Sequence, residues 1–120
     1  MTPTGCALTC LLVLFTSGWT RCDEDAFYFV QNPNDTVIIE RQSAQISCRT
    51  SDNSAWYYWK QNGQVITNSS RKFQKGSNLY IRQALIDADP GEYACIATSP
   101  SGFSLTSRIA NVQVHCLADN

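Results

Sequence analysis

The chain has 120 residues, of which 43% are hydrophobic, and its 10 acidic and 9 basic residues give a formal net charge of -1. This length allows one domain with a single core, since a domain of about 100 residues buries roughly two thirds of its extended surface. Apart from a short acidic run at 23–25, the charged residues are scattered along the chain, and no basic run is present. The composition therefore argues against binding to nucleic acid or to an anionic lipid surface.

Residues 1–22 predict a secretory signal peptide that is removed from the mature protein. Positions 7–15 are largely apolar, and the more polar residues after them offer cleavage following Gly18, Thr20 or Cys22. No Lys or Arg precedes the apolar segment, so a buried N-terminal strand or a membrane anchor is an alternative. A helix needs about 20 apolar residues to cross a bilayer, and no stretch of this chain reaches that length. We therefore expect no membrane span in this chain.

The first strand is predicted in two pieces, 26–30 and 36–40. The run Asn32-Pro33-Asn34-Asp35 separates them, because proline removes a hydrogen-bond donor and Asn and Asp favour turns. We expect the two pieces to pair with different sheets.

The rest of the chain predicts further short strands and no helix. Apolar and polar residues alternate, and turn residues such as Asn62-Gly63 lie between the strands. Ile86 is expected to close one end of the structure. The predicted strands are 44–48, 56–61, 64–67, 71–73, 79–82, 91–98 and 103–114. The expected fold class is therefore all-β.

Two cysteines, Cys48 and Cys95, lie 47 positions apart, with a tryptophan eleven residues after the first and the run 89–95, Asp-Pro-Gly-Glu-Tyr-Ala-Cys, ending at the second. This pattern resembles the intermediate set of the immunoglobulin superfamily over about 90 of the 120 residues. The resemblance implies a Greek-key antiparallel β-sandwich over residues 26–115, in which a Cys48–Cys95 disulfide joins the two sheets. The residues that carry it are Cys48, Trp59, Leu79, Asp89, Gly91, Tyr93 and Cys95.

Two of these residues have expected roles in that fold. The Trp59 indole would fill the volume beside the disulfide, and the Tyr93 hydroxyl would return to the backbone of the preceding turn. Such groups perform no chemistry. The chain is therefore expected to work by presenting a surface.

Two further segments, 27–33 and 71–79, resemble the first domain of the inactive tyrosine-protein kinase 7 family, also called off-track. This resemblance implies a receptor ectodomain of tandem immunoglobulin domains, with a role in Wnt-linked adhesion and cell polarity.

The Asp89 carboxylate is expected to pair with Arg71 or Lys72 and to close one end of the sandwich. The alternative is that these charges form a ligand site. A partly exposed pair of this kind would contribute only about 0 to 1 kcal/mol.

Four successive aromatic residues, 56–59, lie on one predicted strand. Alternation turns Tyr57 and Trp59 inward and leaves Trp56 and Tyr58 facing outward. The two outward rings could anchor a protein partner, since large rigid aromatics are enriched at interface hot spots. The alternative is that the next hairpin strand covers them.

Asn34 and Asn68 each begin an N-glycosylation sequon in a predicted turn. Six cysteines in a short chain indicate an oxidising compartment. We expect no bond between Cys22 and Cys116, because the termini of such a sandwich lie at opposite ends. Cys116 would instead pair outside this segment, link two chains, or belong to an altered region, and residues 116–120 are expected to be a linker or tail.

No enzyme is predicted, because His115 is the only histidine and the acidic residues form no second cluster. No catalytic, cofactor-binding or metal-binding residue is assigned. Two functions remain: an extracellular module that binds a copy of itself or another cell-surface protein, and a spacer in a tandem array. A secreted single-domain decoy is a variant of the first.

Overall fold

A computed structural model of the chain describes residues 26–116, and the predicted signal peptide, Cys22 and residues 117–120 lie outside that range. Every regular element in the described range is a strand, which confirms the all-β prediction. The strands are β1 (Phe29–Gln31), β2 (Thr36–Ile39), β3 (Ala44–Ile46), β4 (Arg49–Thr50), β5 (Trp56–Gln61), β6 (Gln64–Val65), β7 (Lys72–Lys75), β8 (Asn78–Ile81), β9 (Gly91–Thr98), β10 (Ser104–Thr106) and β11 (Ala110–His115).

The strands form the two layers of an immunoglobulin-like sandwich. The larger sheet has the order β2-β11-β9-β5-β6, with β10 also paired to β9, and the smaller one has the order β3-β8-β7. A two-stranded β1-β4 ribbon accompanies them. The pairing is antiparallel except between β2 and β11, which run parallel.

The division of the first strand is confirmed, since β1 pairs with β4 and β2 pairs with β11. Side chains of the intervening turn hold it to the last strand. The Arg108 N–H donates to Asn32 Oδ1 over 2.9 Å, and the Asn111 N–H donates to Asp35 Oδ1 over 2.8 Å. Pro33 between these contacts is buried.

The core lies between the two layers and is formed by alternate residues of their strands. The largest fully buried hydrophobic side chains are Trp59, Tyr93, Ile46, Leu79 and Ile81. The two half-cystines, with Ile38, Ala84, Ala110 and Val112, complete this cluster.

The last predicted strand, 103–114, is interrupted, which corrects a single-strand prediction. Ser107 lies between β10 and β11, and its hydroxyl accepts a hydrogen bond from the Cys95 N–H over 2.9 Å. That hydroxyl also donates to the Arg108 carbonyl over 2.8 Å. A side chain therefore replaces a backbone acceptor, and the strand divides at this point.

The prediction that Ile86 closes the sandwich end is wrong, since its side chain is 37% exposed. The Leu85 N–H donates to Asp89 Oδ2 over 2.6 Å, and this bond closes a tight turn whose apolar residues face solvent. Ala84 and Asp89 are buried at this end, both with 0% exposure.

Candidate recognition surface and the sandwich end

The disulfide joins Cys48 and Cys95 across the two layers, with a Cα–Cα distance of 6.5 Å. Trp59 packs in the same cluster with 1% of its surface exposed, and its Nε1–H donates to the Ser77 carbonyl over 3.1 Å. Leu79 is equally buried. These residues therefore lie in the core and present no surface to a partner.

Asp89 lies at the centre of a buried ionic network at one end of the sandwich. Its Oδ2 lies 2.6 Å from Arg71 Nη1 and its Oδ1 lies 2.9 Å from Lys72 Nζ. A second hydrogen bond joins Arg71 Nη2 to Oδ1 over 2.9 Å, so the arginine contact is bidentate. Asp89 thus pairs with both of the basic residues that the sequence offered.

Tyr93 and Gln61 complete the coordination of Lys72. The Lys72 ammonium donates to the Tyr93 hydroxyl over 3.0 Å and to Gln61 Oε1 over 2.8 Å. The Tyr93 hydroxyl donates in turn to the Asp89 carbonyl over 2.6 Å, closing the tyrosine corner. Every proton of the ammonium therefore has a polar partner nearby, as a buried cation requires.

The ionisation of this network follows from burial and hydrogen bonding. Burial alone would raise the pKa of Asp89, but hydrogen bonds from Arg71, Lys72 and the Leu85 N–H outweigh it and lower that pKa. Hydrogen bonding to Asp89 raises the pKa of Arg71 despite its partial burial. Burial raises the pKa of the Tyr93 hydroxyl, which stays neutral. At neutral pH the network holds two cations and one carboxylate.

The expectation that this pair is partly exposed and contributes little requires correction. The Asp89 side chain is 0% exposed and that of Lys72 is 10% exposed, although Arg71 keeps 26%. A ligand cannot reach the carboxylate, so the ligand-site alternative does not fit the geometry. The burial of Lys72 follows from its register opposite the core residue Ile81.

Gly91 has a φ of +147°, a backbone conformation that residues with a Cβ adopt only with strain. An added Cβ would lie 2.7 Å from the side-chain amide of Asn62, whose Oδ1 accepts a hydrogen bond from the Glu92 N–H. Gly91→Ala is therefore expected to lower the free energy of unfolding by about 1 to 3 kcal/mol, measured by urea denaturation. Gly102→Ala is the control, since Gly102 has φ +98° but nothing within 4 Å of an added Cβ. Equal losses would show that the Asn62 contact contributes nothing.

The four aromatic residues of β5 alternate as predicted. Trp56 is 66% exposed and Tyr58 40% exposed, whereas Tyr57 is half-buried and Trp59 is in the core. The alternative that the next strand covers the outward rings is wrong. β6 pairs only with the last two residues of β5, Lys60 and Gln61, and therefore leaves both rings uncovered.

We call the outer surface around Trp56 and Tyr58 the aromatic face, and Val65 of the edge strand β6 extends it. Tyr58 lies opposite Ile96 in the pairing with β9, and Trp56 lies opposite Thr98. Val65 at the edge is 57% exposed. Lys60 lies further along the same face of β5, and the exposed Arg49 lines a concavity together with Trp56.

Both sequon asparagines are exposed and lie on links between strands. Asn68 lies near β5, because Gln74, which bonds to it, also donates from Nε2 to the Tyr57 carbonyl over 2.8 Å. The Asn34 carbonyl accepts a hydrogen bond from Thr36 Oγ1 over 2.9 Å, and Asn68 Oδ1 accepts one from the Gln74 N–H over 2.8 Å. Their modification remains a prediction.

The last described residues offer no composite site. His115 is exposed, with Nε2 3.0 Å from Gln113 Oε1, and the exposed Cys116 thiol has no disulfide partner among residues 26–116. Within residues 26–116 no three His, Cys, Asp or Glu side chains are grouped to hold a metal ion. No helix in that range is long and apolar enough to cross a membrane.

The family model described as "Immunoglobulin domain" matches residues 28–99. The chain belongs to this family, as the sandwich, the disulfide and the tyrosine corner already indicate. Its assignment to the intermediate set remains a prediction.

Similar proteins include the tyrosine-protein kinase-like otk of Drosophila persimilis, 32% identical over 94 residues, which make up 75% of this chain and 9% of the relative. The Drosophila mojavensis protein of that name is 41% identical over 73 residues, 59% of this chain and 7% of the relative. The off-track resemblance is thereby confirmed. The chain spans less than a tenth of the length of these relatives.

The solved tandem Ig repeats of Dlar superpose with a TM-score of 0.69 at 24% identity, covering 76% of this chain and 49% of that one. This likeness shows the fold alone.

Proposed function

We propose that residues 26–115 form an extracellular recognition module that binds a protein partner through the aromatic face. The observation that carries this proposal is the exposure of Trp56 and Tyr58, at 66% and 40%. Exposed adjacent aromatics on a rigid sheet bury a large area at little entropic cost. The partner is a second copy of the chain or another cell-surface protein.

The remaining assignments follow from this role and from the family. Residues 1–22 are a signal peptide, residues 116–120 are a linker or tail, and the mature domain belongs to a cell-surface receptor or is secreted. We further propose a role in Wnt-linked adhesion and polarity, which the off-track resemblance implies. Asn34 and Asn68 carry N-linked glycans, and the glycan at Asn68, near β5, limits how closely a partner approaches that edge.

Replacing both rings in a Trp56→Ser, Tyr58→Ser double variant is expected to reduce binding at least tenfold. Interface aromatics commonly contribute about 2 kcal/mol or more each. Two readouts cover the two partner classes: aggregation of beads coated with the chain, and binding of its fluorescent tetramers to cultured cells.

Tyr28→Ser is the matched control, since Tyr28 is a 53% exposed aromatic next to β1 of the separate β1-β4 ribbon. This variant is expected to bind normally, and both variants are expected to melt near the wild-type temperature. Unchanged binding by the double variant would overturn the proposed face and favour the spacer function.

A further inference from the structure

The outer face of the smaller sheet lies on the opposite side of the sandwich from the aromatic face. Leu79 and Ile81 of β8 point into the core, so alternation directs Tyr80 and Arg82 outward. Tyr80 is paired with Phe73 on one side and with Gln45 on the other. We call this surface, formed by the outward residues of β3, β7 and β8 and by Arg82, the basic face.

The basic face gathers positive charge that is dispersed in the sequence. Lys75 and Arg82 are exposed on it, and Arg71 lies beside Arg82, whose N–H donates to the Arg71 carbonyl over 2.7 Å. The described acidic residues all lie outside β3, β7 and β8, and the two ion pairs found among described residues both use Asp89. That network has one cation more than it has carboxylates, so it adds to the positive potential.

Two concavities meet at Arg82. One, of about 310 Å³, is lined by Ser70, Arg71, Arg82 and Gln83. The other, of about 280 Å³, is lined by Ser43, Ala44, Gln45, Tyr80, Ile81 and Arg82. Lys75 pairs with Asn78, four residues from Arg82 along the strand, and therefore lies about 13 Å further along the same face. The positive groups thus lie on one face, with the two concavities at its Arg82 end.

We propose that the basic face binds a sulfated polysaccharide of the extracellular matrix. A guanidinium group binds oxyanions through two parallel N–H donors, and a linear polyanion can reach Arg82 and Lys75 together. Sugar hydroxyls can form hydrogen bonds with the hydroxyls of Ser43 and Ser70 and with the side-chain amide of Gln45.

An aromatic platform borders the same concavities. The rings of Phe73 and Tyr80 stack with centroids 5.5 Å apart and an interplanar angle of 12°. Both are half-buried, so they offer a flat edge beside a sugar ring without protruding. Within residues 26–116, the strands β3, β7 and β8 carry no exposed large hydrophobic side chain. A membrane-binding surface would need such side chains to insert into the bilayer. The surface therefore fits a polar polymer better than a bilayer.

The proposal rests on the extracellular location in the proposed function but uses the opposite face of the domain. Binding of the secreted full chain to immobilised heparin, measured by surface plasmon resonance at physiological salt, tests it. Arg82→Ala is expected to weaken binding at least fivefold, and adding Lys75→Ala should weaken it further. The Arg82 contacts described above use its backbone, so this variant should fold normally.

Arg108→Ala is the matched control, because Arg108 is an exposed arginine between β10 and β11 of the larger sheet. The Arg108→Ala variant should bind heparin like the wild type. The Trp56→Ser, Tyr58→Ser variant should also bind heparin normally, so a loss of protein binding at the aromatic face can be told apart from a loss of heparin binding at the basic face. The proposal is overturned by undetectable heparin binding or by equal binding to fully desulfated heparin. Equal losses for the two arginine variants would also overturn it, as would equally tight binding to phosphatidylserine vesicles or to single-stranded DNA.

Discussion

Cys95→Ser is expected to lower the melting temperature of the domain by about 10 °C or more. The disulfide closes a loop of 47 residues and joins the two layers, so its loss should cost about 2 to 5 kcal/mol. A small domain has a net stability of only about 5 to 15 kcal/mol, and the variant also loses a packed sulfur beside Trp59. Thermal and urea denaturation followed by tryptophan fluorescence measure the loss.

Cys116→Ser is the control for that substitution, since the Cys116 thiol is exposed and unpaired within the described range. It should unfold at the wild-type urea concentration. A melting temperature for Cys95→Ser close to that of the wild type, or mass mapping that finds Cys48 and Cys95 as free thiols in the exported protein, would contradict the proposed role of the bridge.

Asp89→Ala is expected to cost about 3 to 5 kcal/mol, the range observed when one partner of a buried ion pair is removed. The substitution leaves the Lys72 ammonium buried without a counter-charge and leaves the Leu85 N–H without its acceptor. Urea denaturation at pH 7 measures the loss. Asp87→Ala, an exposed carboxylate in the same turn, should change stability by less than about 0.5 kcal/mol. Similar effects for the two variants would contradict the network described above.

The same carboxylate makes stability depend on pH in the acid range. The pKa of Asp89 is lower in the folded state than its value of about 3.9 in an unfolded chain. Its stabilising contribution is therefore fully present above about pH 4 and is lost as pH falls towards the folded-state pKa. Urea midpoints measured between pH 7 and pH 2.5 should decline more steeply in the wild type than in Asp89→Asn. Parallel curves would show that Asp89 is not the titrating group.

The strands that the sequence predicts best are those with the strongest local pattern. β5 and β9 have the predicted bounds, because alternating aromatic or small apolar residues meet a turn at each end. The interruption of the last strand at Ser107 could not be predicted from the sequence in the same way. It depends on a hydrogen bond to Cys95, twelve residues earlier in the chain, and no local pattern reports such a contact.

The Asp89 network and the basic face also could not be predicted from local sequence patterns. A lysine in a predicted strand is expected to face solvent, and the burial of Lys72 becomes evident only when Asp89, Tyr93 and Gln61 are brought to the same end. The basic face likewise depends on strand register, which places Arg82 and Lys75 on one surface although seven positions separate them. The composition counts the positive charges of Arg82 and Lys75, but it cannot show that these two side chains lie on the same surface.

The parallel pairing of β2 with β11 has a mechanical consequence. These strands lie near the two termini of the domain and are joined over four residue pairs, from Thr36–Val112 to Ile39–His115. Tension applied between the ends pulls the two strands in opposite directions along their length. The hydrogen bonds between them are then loaded together in shear instead of opening one after another, so this pair should resist stretching of the domain.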